Sequence, residues 1–274
     1  MSKSADFAMN DRPELSLNTL EEHRFNLNSR GYSICNGFLS LSECEYLKDK
    51  IKTALESYKV SEGSTRSDLD RYHIHDLMCR DLMFGKLLED PRLDQLMAIL
   101  LDKYWIMYAA TSSSVPPRGE NYARRVHKDC ARFYKDYVFN AGVIWVLDDY
   151  MVNNGALEVL PGSHNVDTIP TVEIFEKYSV DVLCDAGSLI IFNSNLYHRT
   201  KVNHTDRWRH SMTLNACRPF MKQRMDWVRF IPEDIASNLN ERARRIIGYD
   251  TRLPTSLEEL FVPEVDRLYK ANQG

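Results

Sequence analysis

The stretch R-V-H-K-D-C-A-R, Arg125 to Arg132, decides how this chain is read. Its centre holds His127 and Asp129, two positions apart. On an extended strand, positions i and i+2 face the same way. An imidazole and a carboxylate on one face are able to bind the same metal ion. Two protein ligands rarely hold a catalytic metal alone, so a third donor is needed from elsewhere in the chain. L-Y-H-R-T offers one in His198. Two histidines and one carboxylate that leave coordination positions open are the ligand set of non-haem Fe(II) oxygenases. A rival pair, His73 and His75 in Y-H-I-H-D, has the same spacing but no matching carboxylate. Strand alternation explains that spacing equally well, and Tyr72, His73 and His75 are better placed as a pocket border.

The rest of the chain sets bounds on this reading. With 274 residues the protein buries roughly three quarters of its unfolded surface and needs no staples. A formal charge of −4, from 35 basic and 39 acidic residues, argues against a nucleic-acid binder driven by overall charge. No apolar run approaches the ~20 residues of a membrane helix, and the N-terminus lacks an apolar signal core. The six cysteines are irregularly spaced and form no C-x-x-C pair, so they read as reduced thiols of a cytoplasmic protein. The expected partner is a small molecule, with neither nucleic acid nor membrane, acting on a monomer or homodimer.

Working outward, residues 1–16 read as a loose arm, and G-Y-S-I-C-N-G-F as a short strand between two glycines. Ser40 and Glu43 form a capping box that opens a helix to about Tyr58. Ser61 to Arg71 is polar and reads as a mobile cover. Leu77 to Leu88 looks helical. Asp90-Pro91 caps a further helix to about Leu101. From Tyr104 the chain becomes a series of short β-prone runs: Tyr104–Ser113, Ala141–Leu147, Ala156–Leu160, Val180–Cys184, Ser188–Phe192 and Ser211–Cys217. Between them Asn153-Asn154-Gly155 has hairpin chemistry, and Thr168 to Lys177 reads as a short helix. After the strands, helices are expected from Pro232 to about Ile247 and from Ser256 to about Asn272. These runs predict one mainly β domain, a sandwich or barrel with flanking helices. It has a helix-rich part at 17–103, a β core at about 104–220 and C-terminal helices at 232–272.

The chain resembles the phytanoyl-CoA dioxygenase-like branch of the Fe(II)/2-oxoglutarate oxygenases. The likeness rests on H-K-D at 127–129, V-I-W-V-L-D-D-Y at 143–150, N-N-G-A-L-E-V-L-P-G-S-H at 153–164, G-S-L-I-I-F-N at 187–193, H-R-T at 198–200 and R-H-S-M at 209–212. It implies a double-stranded β-helix, a cupin-like jelly roll with the iron in its mouth. It also implies that His127, Asp129 and His198 bind Fe(II). Arg209, eleven residues past His198, would take the far carboxylate of 2-oxoglutarate, as a planar guanidinium fork suits it to do. Thr200 would contact the same carboxylate, and Trp145 would sit near the co-substrate. The implied reaction consumes O₂, splits 2-oxoglutarate to succinate and CO₂, and hydroxylates a substrate carbon.

Halogenating relatives lack the carboxylate, so Asp129 argues against halogenation. Desaturation, epoxidation and ring formation stay open. A non-catalytic jelly-roll module and a zinc hydrolase are the other classes; the first would have lost a ligand, and the second does not explain Arg209. His164 reads as a turn histidine bonded to backbone. His210 and Cys130 should point away from the site. The basic residues Arg118, Arg124, Arg125, Lys128 and Arg132 around the metal stretch are candidates to meet an anionic substrate group. Arg125 leads because it shares the parity of His127. A biosynthetic tailoring step is the favoured setting.

Overall fold

The computed structural model describes residues 7–59 and 68–271. The strands are β1 (Tyr32–Cys35), β2 (Ile106–Ser112), β3 (Asn140–Val146), β4 (Leu157–Val159), β5 (Val180–Val182), β6 (Leu189–Asn193), β7 (His198–Thr200) and β8 (Ser211–Cys217). They make a five-stranded sheet in the order β1-β6-β3-β8-β2 and a three-stranded sheet in the order β5-β4-β7. Every named pairing is antiparallel. The two sheets face each other as the double-stranded β-helix expected from the sequence. Around them lie α1 (Leu17–Arg30), α2 (Leu41–Ser57), α3 (Leu82–Lys86), α4 (Pro91–Ala98) and α5 (Val172–Tyr178). The C-terminal part adds α6 (Trp227–Phe230), α7 (Glu233–Ala236), α8 (Glu241–Ile247) and α9 (Leu257–Leu260).

Strand alternation divides the large sheet into two cores. Val143, Trp145, Leu189, Ile191, Met212 and Leu214 face outward and pack against Leu47, Ile51, Phe84 and Leu93 of the helical layer. Ile144, Val146, Ile190 and Phe192 face inward and meet Leu157, Val159 and Val182 of the small sheet. Burial of each such side chain contributes roughly 1.5–3 kcal/mol, so both faces of the large sheet must be covered. Strand β8 breaks the pattern. Its outward residues are apolar, but its inward Ser211, Thr213 and Asn215 are polar and line a cavity between the sheets.

Several local expectations hold and several do not. The Ser40–Glu43 capping box opens α2, and Asp90 caps α4 with Pro91 in its first turn. Helix α1 fills the stretch between the expected arm and the expected strand, at the start of the part expected to be helix-rich. It is capped by Ser16 and ended by Gly31 at φ 87°, but buries only His23 and Leu27, so its apolar period is faint. The expected helix 77–88 is broken into two 3-10 turns and α3. The tail helices are shorter than expected: Asn240 restarts the chain as the cap of α8, and Pro263 lies just past α9. The turn at Asn153–Gly155 does not close a simple hairpin; it carries the chain from the large sheet to the small one. Of the expected cover, residues 61–67 lie outside the described residues, and Asp68–Tyr72 forms a 3-10 helix. The first six residues of the expected arm and the end of the tail helix at Asn272 also lie outside them. No helix among the described residues is long and apolar enough to cross a membrane.

Candidate active site

Strand β7 places His198 and Thr200 on the inner face, and Arg199 between them turns out to ion-pair with Glu158 and Glu176. The stretch Arg125–Arg132 is not a strand, contrary to the i, i+2 expectation. A single antiparallel bridge joins it to β7: His127 N–H donates to the His198 carbonyl at 3.0 Å, and His198 N–H to the His127 carbonyl at 2.9 Å. That bridge sets the two imidazoles with ring centroids 4.4 Å apart. Asp129 then turns in at a bend, and its carboxylate lies 3.5 Å from His127 Nε2 and 3.8 Å from His198 Nε2. One ligand atom from each of the three residues lies within 4.8 Å of the others, a group able to hold a metal ion.

The tautomers are set by the backbone. His127 Nδ1 lies 2.7 Å from the Arg125 carbonyl, and His198 Nδ1 lies 2.9 Å from the Leu196 carbonyl. A carbonyl only accepts, so each Nδ1 carries the proton and each Nε2 turns its lone pair toward Asp129. Burial works against the charge on Asp129, yet His198, His127 and a hydrogen bond from Asn215 hold its carboxyl below the usual range. Burial also opposes charge on both rings. Asp129, which would accept a hydrogen bond from the protonated ring, nevertheless raises His127, while desolvation prevails and lowers His198. Asp129 thus offers a negative charge flanked by two imidazole nitrogens. A divalent cation with nitrogen and oxygen ligands fits that place.

Arg209 is 1% exposed. Its Nη1 donates to the Ser113 carbonyl (2.9 Å), Ser211 Oγ (2.8 Å) and the Tyr150 hydroxyl (3.2 Å), and its Nη2 to the Gly155 carbonyl (2.7 Å). Nε has no partner, and no carboxylate pairs with this guanidinium among the described residues. A buried charge without a counter-ion is costly, which marks the spot for an anion. The side chain lies just behind the cavity wall made by Ser113, Tyr150, Ser211 and Thr200. Arg209 does not reach the metal stretch through a strand beside β7, as expected. Strand β8 belongs to the other sheet, and the two faces meet across the cavity. Burial pushes the Tyr150 phenol up, so the hydroxyl that accepts from Arg209 stays neutral.

The remaining expected residues divide. His73 and His75 line the cavity beside Asp70, whereas Tyr72 lines a neighbouring groove with Trp208 and His210. Trp145 is fully buried in the outer core; its neighbour Ile144 is the one facing the cavity, because alternation along β3 turns Trp145 the other way. Arg125 stacks over Tyr122 at the surface, Arg118 pairs with Asp206 at 2.6 Å, and Arg132 is exposed. None of the three lines the cavity; the parity argument for Arg125 fails because its stretch is not a strand. His164 holds the Asn28 carbonyl, as a turn histidine should, and Cys130 is buried. His210 points away from the cavity, bonding Ser114 and stacking on Trp208. Tyr150, Asn215, Ser211 and Arg224, none of them expected from the sequence, also line the cavity. The alternation S-M-T-L-N-A-C at 211–217, polar inside and apolar outside, was the available signal for two of them.

Comparison with known proteins agrees with this geometry. The family model for phytanoyl-CoA dioxygenase (PhyH) matches residues 27–211, about two thirds of the chain. The uncharacterized protein Rv1501 of Mycobacterium tuberculosis is 26% identical over 263 residues, covering 93% of this chain and 96% of that protein. Dioxygenase ALT11 of Alternaria alternata is 20% identical over 254 residues, covering 85% of this chain and 82% of its own. Among solved structures, the epimerase SnoN in complex with Fe3+, alpha ketoglutarate and nogalamycin RO superposes with a TM-score of 0.61 at 18% identity. That match covers 74% of this chain and 84% of SnoN.

Proposed function

The chain belongs to the phytanoyl-CoA dioxygenase family and is an Fe(II)- and 2-oxoglutarate-dependent oxygenase; from that premise we propose that it hydroxylates a C–H bond of a small molecule at the cavity between its sheets. The observation that carries the reading is the convergence of His127, Asp129 and His198 within 4.8 Å, with both Nδ1 atoms already committed to carbonyls. These three residues would hold the iron. Bound there, iron and 2-oxoglutarate would supply the oxidising power, with O₂ consumed, succinate and CO₂ formed and one oxygen atom passed to the substrate. The chain's own residues then bind, orient and exclude water. Arg209, with Tyr150, Ser211 and Thr200, would receive the far carboxylate of 2-oxoglutarate. Ile144 and Phe192, on the same sheet as β8, and Leu157, on the facing sheet, add an apolar part to the cavity wall beside the polar face of β8. Asp129 occupies the place a halide would need, which favours oxygenation over halogenation.

We place the reaction among biosynthetic tailoring steps; SnoN, from nogalamycin biosynthesis, is a relative in fold with that setting. We place the protein in the cytoplasm, where its six free cysteines would stay reduced. The test is succinate production from 2-oxoglutarate with Fe(II) and O₂, using His198→Ala as the control. Activity in the wild type and its loss in the variant, by ~100-fold or more given that even residues supporting a metal ligand contribute 10–100-fold, is the expected result. No turnover together with no 2-oxoglutarate binding would sink the reading. Product analysis separates an alcohol from an alkene, an epoxide or a new ring.

A further inference from the structure

We propose that Arg224 recognises an anionic group, a carboxylate or a phosphate, on the primary substrate and so defines the substrate class. This rests on the cavity being the oxygenase site proposed above. Three observations place the residue. The first is strand register. Strands β2 and β8 pair Ala109 with Asn215 and Thr111 with Thr213, and Ser113 exchanges backbone hydrogen bonds with Ser211. Together these residues form one wall of the cavity. Arg209 lies at the Ser211 end, whereas Asn215 bonds Asp129 and so marks the metal end. Four residues of strand separate Ser211 from Asn215, about 13 Å at ~3.3 Å per residue.

The second observation is that Arg224 lies beyond the metal end. Its backbone N–H donates to the Tyr108 carbonyl at 3.1 Å, next to Ala109, and the residue lines the cavity. The two arginines are therefore attached at opposite ends of the strand pair, with Asn215 and its partner Asp129 toward the Arg224 end. A co-substrate anchored at Arg209 leaves the Arg224 end for the molecule to be oxidised.

The third observation is charge pairing. Around the metal stretch Arg118 pairs with Asp206 at 2.6 Å, Arg124 with Glu120 at 3.1 Å and Lys128 with Asp167 at 3.3 Å, while Arg125 lies over the Tyr122 ring and exposed Arg132 does not line the cavity. No carboxylate pairs with Arg224 among the described residues, and nearby Asp226 turns to Arg229 at 3.7 Å. An exposed arginine at a cavity mouth loses little hydration, and its fork takes a carboxylate or phosphate bidentately. The cavity, about 240 Å³, is below the roughly 300–1,000 Å³ of pockets for drug-sized ligands, so the anion belongs to a small molecule.

The experiment is calorimetric and needs no turnover. Full-length enzyme is loaded with Mn(II) and 2-oxoglutarate and titrated with hexanoate, hexyl phosphate or hexanamide, which share a chain and differ in charge. Wild type should bind at least one of the anions 10-fold or more tightly than hexanamide. Arg224→Gln should abolish that preference, Arg224→Lys should keep part of it, and 2-oxoglutarate affinity should stay within twofold in both. Whichever anion is preferred tells carboxylate from phosphate. Equal binding of all three probes by wild type, or an undiminished preference in Arg224→Gln, overturns the proposal. So does a fall in 2-oxoglutarate affinity in that variant, which would assign Arg224 to the co-substrate. Failure of wild type to bind 2-oxoglutarate at all is a different result; it removes the oxygenase reading itself.

Discussion

His127 and His198 owe their ligand geometry to two carbonyl oxygens rather than to neighbouring side chains. Arg125 contributes through its backbone to His127, as Leu196 does to His198. A substitution of the Arg125 side chain leaves that carbonyl in place, which is why its proximity in sequence says little about its role. Arg209 is the opposite case, since its guanidinium carries the function and its surroundings were built to hold it. Replacing it with Lys keeps the charge but removes the fork. Hydrogen bonds to charged groups contribute about 1.5–3 kcal/mol each, so Arg209→Lys should raise the KM for 2-oxoglutarate roughly 10- to 100-fold. Mn(II) affinity should barely move; a parallel loss of Mn(II) binding would show that Arg209 supports the ligands instead. At this scale the ligands and Arg209 were readable because their chemistry is rare in combination. Trp145 was misplaced because a residue's type does not say which face of its strand it occupies; burial of Ile144 and Trp145 on opposite sides does.

Among the strands, β3 constrains the site most closely through Gly142. It faces the space between the sheets under the Phe192 ring, and a Cβ there would lie 2.1 Å from Phe192 Cζ. Phe192 in turn packs edge-on against His198, with centroids 5.3 Å apart. Gly142→Ala would therefore push the ring toward a proposed ligand. Overpacking of this kind costs roughly 1–3 kcal/mol. The expected outcome is a lower melting temperature and about a tenfold weaker Mn(II) affinity, measured by calorimetry; an unchanged affinity would show that Phe192 yields in another direction. Elements with strong end signals, such as α2 and α4, were legible in the sequence. Helix α1 and the metal stretch were not. The first buries too few residues to show a period. The second imitates a strand through spacing alone, whereas one bridge to β7 supplies its geometry.

Across the whole molecule, the helical layer is held to the outer face of the large sheet, and His210 sits in the neighbouring groove. It is 1% exposed, bonds Ser114 Oγ through Nδ1 and stacks on Trp208. Burial, chiefly, pushes its pKa down to about 4; Asp148 opposes this, while Lys52, Arg209 and Lys48 reinforce it. A histidine lowered on folding binds more protons unfolded than folded between about pH 6.5 and 4. Stability is therefore full above the unfolded value and declines as pH falls through that window. His210→Gln removes the titration and leaves a polar group for Ser114. The metal-free variant should lose less melting temperature than wild type between pH 7 and pH 4.5; equal losses would place the acid sensitivity elsewhere.

The sequence by itself determined the ligand types, their order along the chain and the alternation that makes two facing sheets, because these depend on local chemistry and a period of two. Only the tertiary structure decided which side chains share the cavity. Sheet pairing joins residues far apart in the chain, such as His127 with His198 and Ser113 with Ser211. That pairing left Arg118, Arg125 and Arg132 outside the cavity and brought Arg224 to it. Distance along the chain carries no information about that closure, which is set by how the apolar faces of both sheets are buried together.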